Sequence, residues 1–294
     1  MNLKRQVKKI FNFILRRKLT KLIDPLIKVK IGKYKILMPL SHELPYSLEV
    51  NPLYDRALPR ICTELSKKGL NPKIIDIGAN IGDTVALIME KTNAEFLCID
   101  GNEEFFPLLK QNTQRYGKSI VLEKTYLGSK KQVIKAKINE TKGTARLIKN
   151  ESGKTIKITT LDNLTKKHIK FKTSDLIKID TDGFEQTILK GAKETLNQGR
   201  PLLFFEFTPS AMIEQGENPM DIFEYIQKFG YTKALFYTNF GEAISIISTK
   251  DKSKINSLIK NIDNITVHYY DILAINSEKW KQDLLKKELK TAKF

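Results

Sequence analysis

The order of apolar and polar residues along the chain predicts alternating strands and helices. Ile74, Ile75 and Ile77 form a β-branched run, the composition of a strand buried on both faces of a parallel sheet. Gly78 and Gly82 end that run, and helical spacing follows in Asp83-Thr84-Val85-Ala86-Leu87-Ile88. Further strands are predicted at 95–99, 119–124, 174–179, 201–207, 232–237 and 266–275, and helices at 56–68, 103–116, 184–196 and 218–229. Strands alternating with helices read as a doubly wound α/β sheet. Two stretches break the alternation. Residues 27–39 alternate apolar and basic around Gly32-Lys33, which predicts a hairpin. Residues 130–160 carry three period-two segments separated by Glu140-Thr141-Lys142-Gly143 and Asn150-Glu151-Ser152-Gly153, a β-ribbon inserted where a plain α/β fold would have only a helix.

Both ends have their own patterns. In residues 1–21 the apolar positions Leu3, Val7, Ile10, Phe11, Ile14 and Leu15 recur at the helical period, with Lys4, Arg5, Lys8, Lys9, Arg16 and Arg17 mostly off that stripe. Two fates are open for it: docking on the protein's own core, or lying on an anionic membrane face. The apolar run is too short for a signal-peptide core or a membrane span. Residues 40–60, with Pro45, Pro52 and Pro59, read as irregular and rich in polar aromatics. The expected organisation is an N-terminal extension over 1–68, a sheet domain over 69–276 with the ribbon inserted, and a basic helical tail over 277–294. The tail carries Trp280, Leu284 and Leu285.

Composition narrows the class without choosing a function. Of 294 residues 41% are hydrophobic, with 15 Phe and 10 Tyr, enough for a real core and against wholesale disorder. Cys62 and Cys98 lack metal spacing and read as core thiols of a reducing compartment, hence a cytoplasmic placement, peripheral to the inner membrane face if the N-terminal stripe binds it. The net charge of +18 favours polyanionic surroundings, although scattered lysine is usually only a solvated surface.

The chemistry begins at Asp76-x-Gly78-x-x-x-Gly82. A strand, a glycine turn and a helix start present backbone N–H groups to a ligand, and this spacing is not the G-x-G-x-x-G of a dinucleotide site. Asp100 ends the next strand, where an acid accepts hydrogen bonds from both hydroxyls of a ribose. A nucleoside cofactor is therefore predicted, and the turn looks like the S-adenosylmethionine site of class I methyltransferases. A second signature, LIKIDTDGFEQTILKGA over 176–192, is preceded by Thr160-Leu161-Asp162-Asn163-Leu164 and followed by Glu206 at a strand end.

Together these motifs resemble the FkbM-type methyltransferase family over about 70–210. Two departures keep the carboxylate but shorten it: Asp182 and Asp100 stand where the family usually or commonly has Glu. The resemblance implies a Rossmann-like class I fold and S-adenosyl-L-methionine as cofactor. It implies cofactor contacts at Asp76, Gly78, Asn80, Gly82, Asp100, Asn102, Tyr126, Leu127 and Asp180. Asp180 is the expected residue of the methyl-transfer step, with Asp182 and Glu206 in support and His42 as a further candidate. Neighbouring carboxylates suit either a general base or a divalent cation, Mg²⁺ or Mn²⁺, and the residues leave both open. Helix capping is the plainer role for Asp182 and Asp180. Among three histidines, His168 and His268 rank below His42.

The expected reaction is methylation of a hydroxyl on a glycan or other polyhydroxylated metabolite. A ribose 2′-O-methyltransferase, using Lys178 and Asp180, and a non-catalytic glycan- or lipid-binding module are the competing readings. Amino and C5 methylation of nucleic acid lack their motifs, so nucleic acid is not the favoured partner. Segments 40–60, with His42, Tyr46, Asn51 and Tyr54, and 130–160 are expected on the acceptor side, since specificity comes from pieces appended to the sheet.

Overall fold

The computed structural model describes residues 20, 23–50, 54–67, 69, 71–141, 144–150, 152–262 and 267–292. The predicted N-terminal helix, apart from Thr20, and Asn51 lie outside the described residues. The strands are β1 (Leu26–Ile31), β2 (Tyr34–Pro39), β3 (Lys73–Ile77), β4 (Glu95–Ile99), β5 (Ile120–Glu123), β6 (Tyr126–Leu127) and β7 (Gln132–Thr141). They continue with β8 (Thr144–Lys149), β9 (Lys154–Thr159), β10 (Leu176–Ile179), β11 (Leu202–Phe207), β12 (Tyr231–Thr238), β13 (Ala243–Ser248) and β14 (Tyr270–Asn276).

Eight of these form one sheet in the order β13-β12-β14-β11-β10-β3-β4-β5. The five strands from β11 to β5 are parallel, whereas β14 runs antiparallel between β11 and β12. Every apolar position of β3, β4, β10 and β11 is buried, because helices cover both faces of the sheet. Asp76 and Lys178 are the only charges within the buried parts of β3 and β10, and they stand opposite each other in register. The sheet order reverses between β3 and β10. The carboxyl ends of those two strands therefore open the crevice where an open α/β sheet binds its ligand.

The predicted hairpin 27–39 is β1–β2. Its inner face (Ile31, Ile36, Met38) packs with Ile81, Ala86 and Leu87, next to the glycine turn. Asn112 fastens it there: its Oδ1 accepts from Leu37 N at 2.8 Å, and its Nδ2 donates to Leu37 O and Ile81 O, both at 2.8 Å. The ribbon over 130–160 is larger than its pattern suggested, since Tyr126–Leu127 joins as a short parallel strand to give the order β6-β9-β7-β8. The tail forms the helix Lys279–Thr291 and docks through Leu284 and Leu285, with Glu288 accepting from Arg60 Nε and Nη2 through its two oxygens.

Three local expectations are corrected. The helix at 184–196 is two helices, Glu185–Lys190 and Lys193–Gly199. At the break Gly191 approaches Gly128 so closely that a Cβ would lie 2.1 Å from its carbonyl oxygen. The helix at 103–116 stops at Thr113 and continues as a 3-10 turn to Ser119, interrupted at Gly117. The irregular segment 40–60 contains the helix Leu44–Val50 and the start of Ala57–Ser66, where Pro59 sits in the first turn and removes no intrahelical bond.

Candidate active site

A cavity of ≈ 700 Å³ opens at the carboxyl ends of β3, β4, β10 and β11. At one end, Gly78 leaves β3 with φ +76°, and a Cβ there would stand 1.8 Å from the carbonyl oxygen of Asp180. Gly82 (φ +83°) packs against Thr113 and Leu109 in the same way. Both glycines are thus required by contact with neighbouring protein. The Asp100 carboxylate joins the two loops of this end, accepting from Asn80 N through Oδ2 and Asn102 N through Oδ1, each at 2.8 Å. Burial pushes Asp100 up to about 6, with those backbone N–H groups pulling the other way. Asn102 caps the helix start by accepting from Glu104 N and Phe105 N at 2.7 and 2.8 Å. The Tyr126 ring lies flat on Gly101, and Ile99, Leu127, Ile134 and Ile158 make the nearby wall apolar. His42 reaches this end from the appended segment, 3.4 Å from Asn80 Oδ1 through Nε2.

The other end is lined by acids and phenols. Asp180, at the tip of β10, has a side chain 48% exposed and lies 3.2 Å from the Lys178 ammonium. Lys178 also meets Asp76 at 3.3 Å. Burial would lower the Lys178 pKa, but Asp180, Asp76 and Asp83 hold it well above its ordinary value, so it stays a cation. Asp55, Glu206 and Asp271 face the cavity from the surrounding walls; Glu206 and Asp271 are register partners on β11 and β14. Burial, then Asp83, raises Asp55 to about 8. Burial, then Asp180, raises Glu206, and burial, then Asp55, raises Asp271, both well above the carboxylate range. Tyr54, Tyr269 and His268 complete this end. Asp182 (φ +54°) and Gly183 (φ +103°) turn the chain after β10, and Asp182 also lines the cavity.

Of the residues the sequence singled out, His42, Gly78, Asn80, Asp100, Asn102, Tyr126, Leu127, Asp180, Asp182 and Glu206 all border this one cavity. Asp76 and Gly82 do not border it; Asp76 lies beneath on Lys178 and Gly82 faces a helix. His168 sits elsewhere, on Glu123 of β5. Sequence reasoning missed Asp55, Tyr269 and Asp271 as site residues. A signal existed for Asp271 and Lys178, since each is a lone charge inside an apolar strand. Among the described residues no three His, Cys, Asp or Glu side chains gather as a metal site, and an ammonium fills the gap between Asp76 and Asp180.

A nucleoside cofactor fits the Asp100 end. That carboxylate spends one acceptor position per oxygen on backbone N–H groups and has a second on each for ribose hydroxyls. Strand order, turn and acid place the chain among the class I, S-adenosylmethionine-dependent methyltransferases. The family follows from a direct match: the Methyltransferase FkbM domain covers residues 76–233, more than half of the chain. The chain belongs to the FkbM methyltransferase family.

Solved structures give looser likenesses. Methyltransferase FkbM from Methylobacillus flagellatus KT is 18% identical over 52% of this chain, with a TM-score of 0.37, and only 37% of its own length is covered. The O-methyltransferase from Bacillus cereus, in complex with SAH, is 11% identical over 90% of this chain and 97% of its own, with a TM-score of 0.44. A putative caffeoyl-CoA O-methyltransferase from Staphylococcus aureus is 14% identical over 92% and 100%, with a TM-score of 0.42. No curated protein matches the chain. The family assignment rests on the domain match.

Proposed function

We propose that the enzyme methylates a hydroxyl oxygen of a glycan or other polyhydroxylated acceptor. The observation that carries this reading is the acceptor end itself, where Asp55, Asp180, Glu206, Asp271, Tyr54 and Tyr269 offer hydrogen-bonding groups to a hydroxyl-rich ligand. Bound S-adenosylmethionine supplies an electrophilic methyl on a sulfonium. The chain's part is to align an oxygen with that methyl and to accept the hydroxyl proton. Asp180 takes the proton, being the carboxylate that is both open to the cavity and held beside the glycine turn. Asp182 and Glu206 border the same space and orient the acceptor. Asp100, Asn80 and the apolar wall at Tyr126 and Leu127 hold the nucleoside. Among the described residues no three carboxylate, histidine or cysteine side chains are placed to hold Mg²⁺ or Mn²⁺.

The proposal includes attachment of a cytoplasmic enzyme to an anionic membrane face through residues 1–21, on the pattern of their charges. Among the described residues no helix is long and apolar enough to cross a membrane.

The test is methyl transfer from radiolabelled S-adenosylmethionine to a panel of glycans, lipid-linked sugars and RNA. Label on a sugar hydroxyl is expected, and Asp180→Asn lowers its rate by roughly 10²–10⁴. Label on RNA and on no glycan would overturn the reading.

A further inference from the structure

We propose that Lys178 is a positioning residue that fixes the Asp180 carboxylate against the cofactor turn, a role resting on the reading of Asp180 as proton acceptor. The Lys178 side chain is 9% exposed, and its ammonium has three partners. It lies 3.3 Å from Asp76 Oδ1 and 3.2 Å from Asp180 Oδ2, and it donates to Gly78 O at 3.0 Å. One proton is donated to the Gly78 carbonyl, and the charge is shared between the two carboxylates. With its charge held between two carboxylates the ammonium stays a cation, so Lys178 does not act as a base.

What remains to it is geometry. Its partners are the acid beneath the turn, the carbonyl of the turn itself, and the carboxylate in the cavity. A lone Asp180 at a strand tip would rotate, since the terminal torsion of an aspartate has a broad minimum. The ammonium holds Oδ2 and leaves Oδ1 to the acceptor hydroxyl. The backbone supports the same alignment: Asp180 N donates to Ile77 O at 3.0 Å, and Gly78 leaves no room for a Cβ against Asp180 O. Asp76 thereby acquires a second role. It neutralises and anchors Lys178 from below, out of reach of the cavity.

Replacing Lys178 alone leaves Asp76 as an uncompensated buried charge, which threatens the fold. The informative variant is therefore the pair Asp76→Asn/Lys178→Met, which removes both buried charges and leaves Asp180 untouched. Two readouts are taken from it: the Asp180 side-chain conformation in its crystal structure, and the rate of methyl transfer, with melting temperature as the check on folding. The expected result is a displaced or multiply placed carboxylate with a rate lowered ~10²-fold, the cost of a misplacement of about 1 Å. A displaced carboxylate with an unchanged rate would uphold the positioning role and refute Asp180 as proton acceptor. An Asp180 carboxylate in its wild-type place would overturn the proposal, whatever the rate.

Discussion

The two ends of the cavity are built in opposite ways. Most polar groups of the Asp100 end come from one continuous stretch, β3 through the helix start at Phe105, and are satisfied mostly by its backbone, while Tyr126, Leu127, Ile134 and Ile158 add an apolar wall. The Asp180 end is assembled from four separate pieces: Tyr54-Asp55, Lys178 to Asp182, Glu206, and His268 to Asp271. Its acids crowd one another, and a single buried lysine offsets them. A contiguous end made of backbone hydrogen bonds suits a ligand common to a whole class of enzymes. An end made of converging side chains from distant segments suits an acceptor that differs between relatives.

The largest effect is expected at the junction of the two ends. Gly78→Val puts a branched side chain at a position with φ +76° whose Cβ would be 1.8 Å from Asp180 O. It should cost about 2–5 kcal/mol of folding stability, measured by denaturant unfolding. Wild-type stability in this variant would mean that the turn relaxes and that the ends are less tightly joined than the structure indicates.

A second effect, of comparable size, is read by pH at the acidic end. Asp55 titrates near 8 in the fold and near 4 in an unfolded chain. Between those values the folded protein holds a proton that the unfolded chain has released. The stability contributed by this group is therefore full below about pH 4 and is lost as pH rises through 8. The melting temperature should fall from pH 5 to pH 9, and Asp55→Asn, which mimics the protonated form, should flatten the slope. Asp271 and Glu206 shift in the same direction. A slope unaltered by Asp55→Asn would remove this residue from the acidic end.

The smallest effect sharpens the assignment of the acceptor side. Tyr269→Phe deletes one hydroxyl, worth about 1 kcal/mol. It should raise the acceptor KM several-fold while the Kd for S-adenosylmethionine stays within about threefold. A weakened cofactor with an unchanged acceptor KM would reverse the two ends.

The same contrast explains what was legible in the sequence. Asp76, Gly78, Asn80, Gly82, Asp100 and Asn102 could be placed together because they lie within one strand–turn–helix–strand unit, where spacing stands for distance. Even there the pattern mistook two placements. Asp76 sits beneath the cavity and Gly82 faces a helix, because a motif records which residue types are needed and not which way they face. On the acceptor side, Asp180 and Glu206 were singled out at predicted strand ends and Asp182 in the second signature, and all three border the cavity. Tyr269 and Asp271 were not singled out, since the placing of β14 between β11 and β12 brings them to the cavity, and Asp55 was not, since it comes from the separate segment before the helix Ala57–Ser66. The broken helix at Gly191 was invisible for the same reason, as its cause is a contact with Gly128, far away in the chain.

On this reading Asp100 marks the cofactor end and Asp180 the acceptor end. Titration of S-adenosylmethionine into the wild type, Asp100→Ala and Asp180→Asn by calorimetry tests it most directly. Asp100→Ala removes the ribose acceptor and strands two backbone N–H groups, so affinity should fall by roughly 30- to 100-fold. Asp180→Asn should bind the cofactor within about threefold of wild type. Equal losses in both variants, or none in Asp100→Ala, would contradict the division of the site.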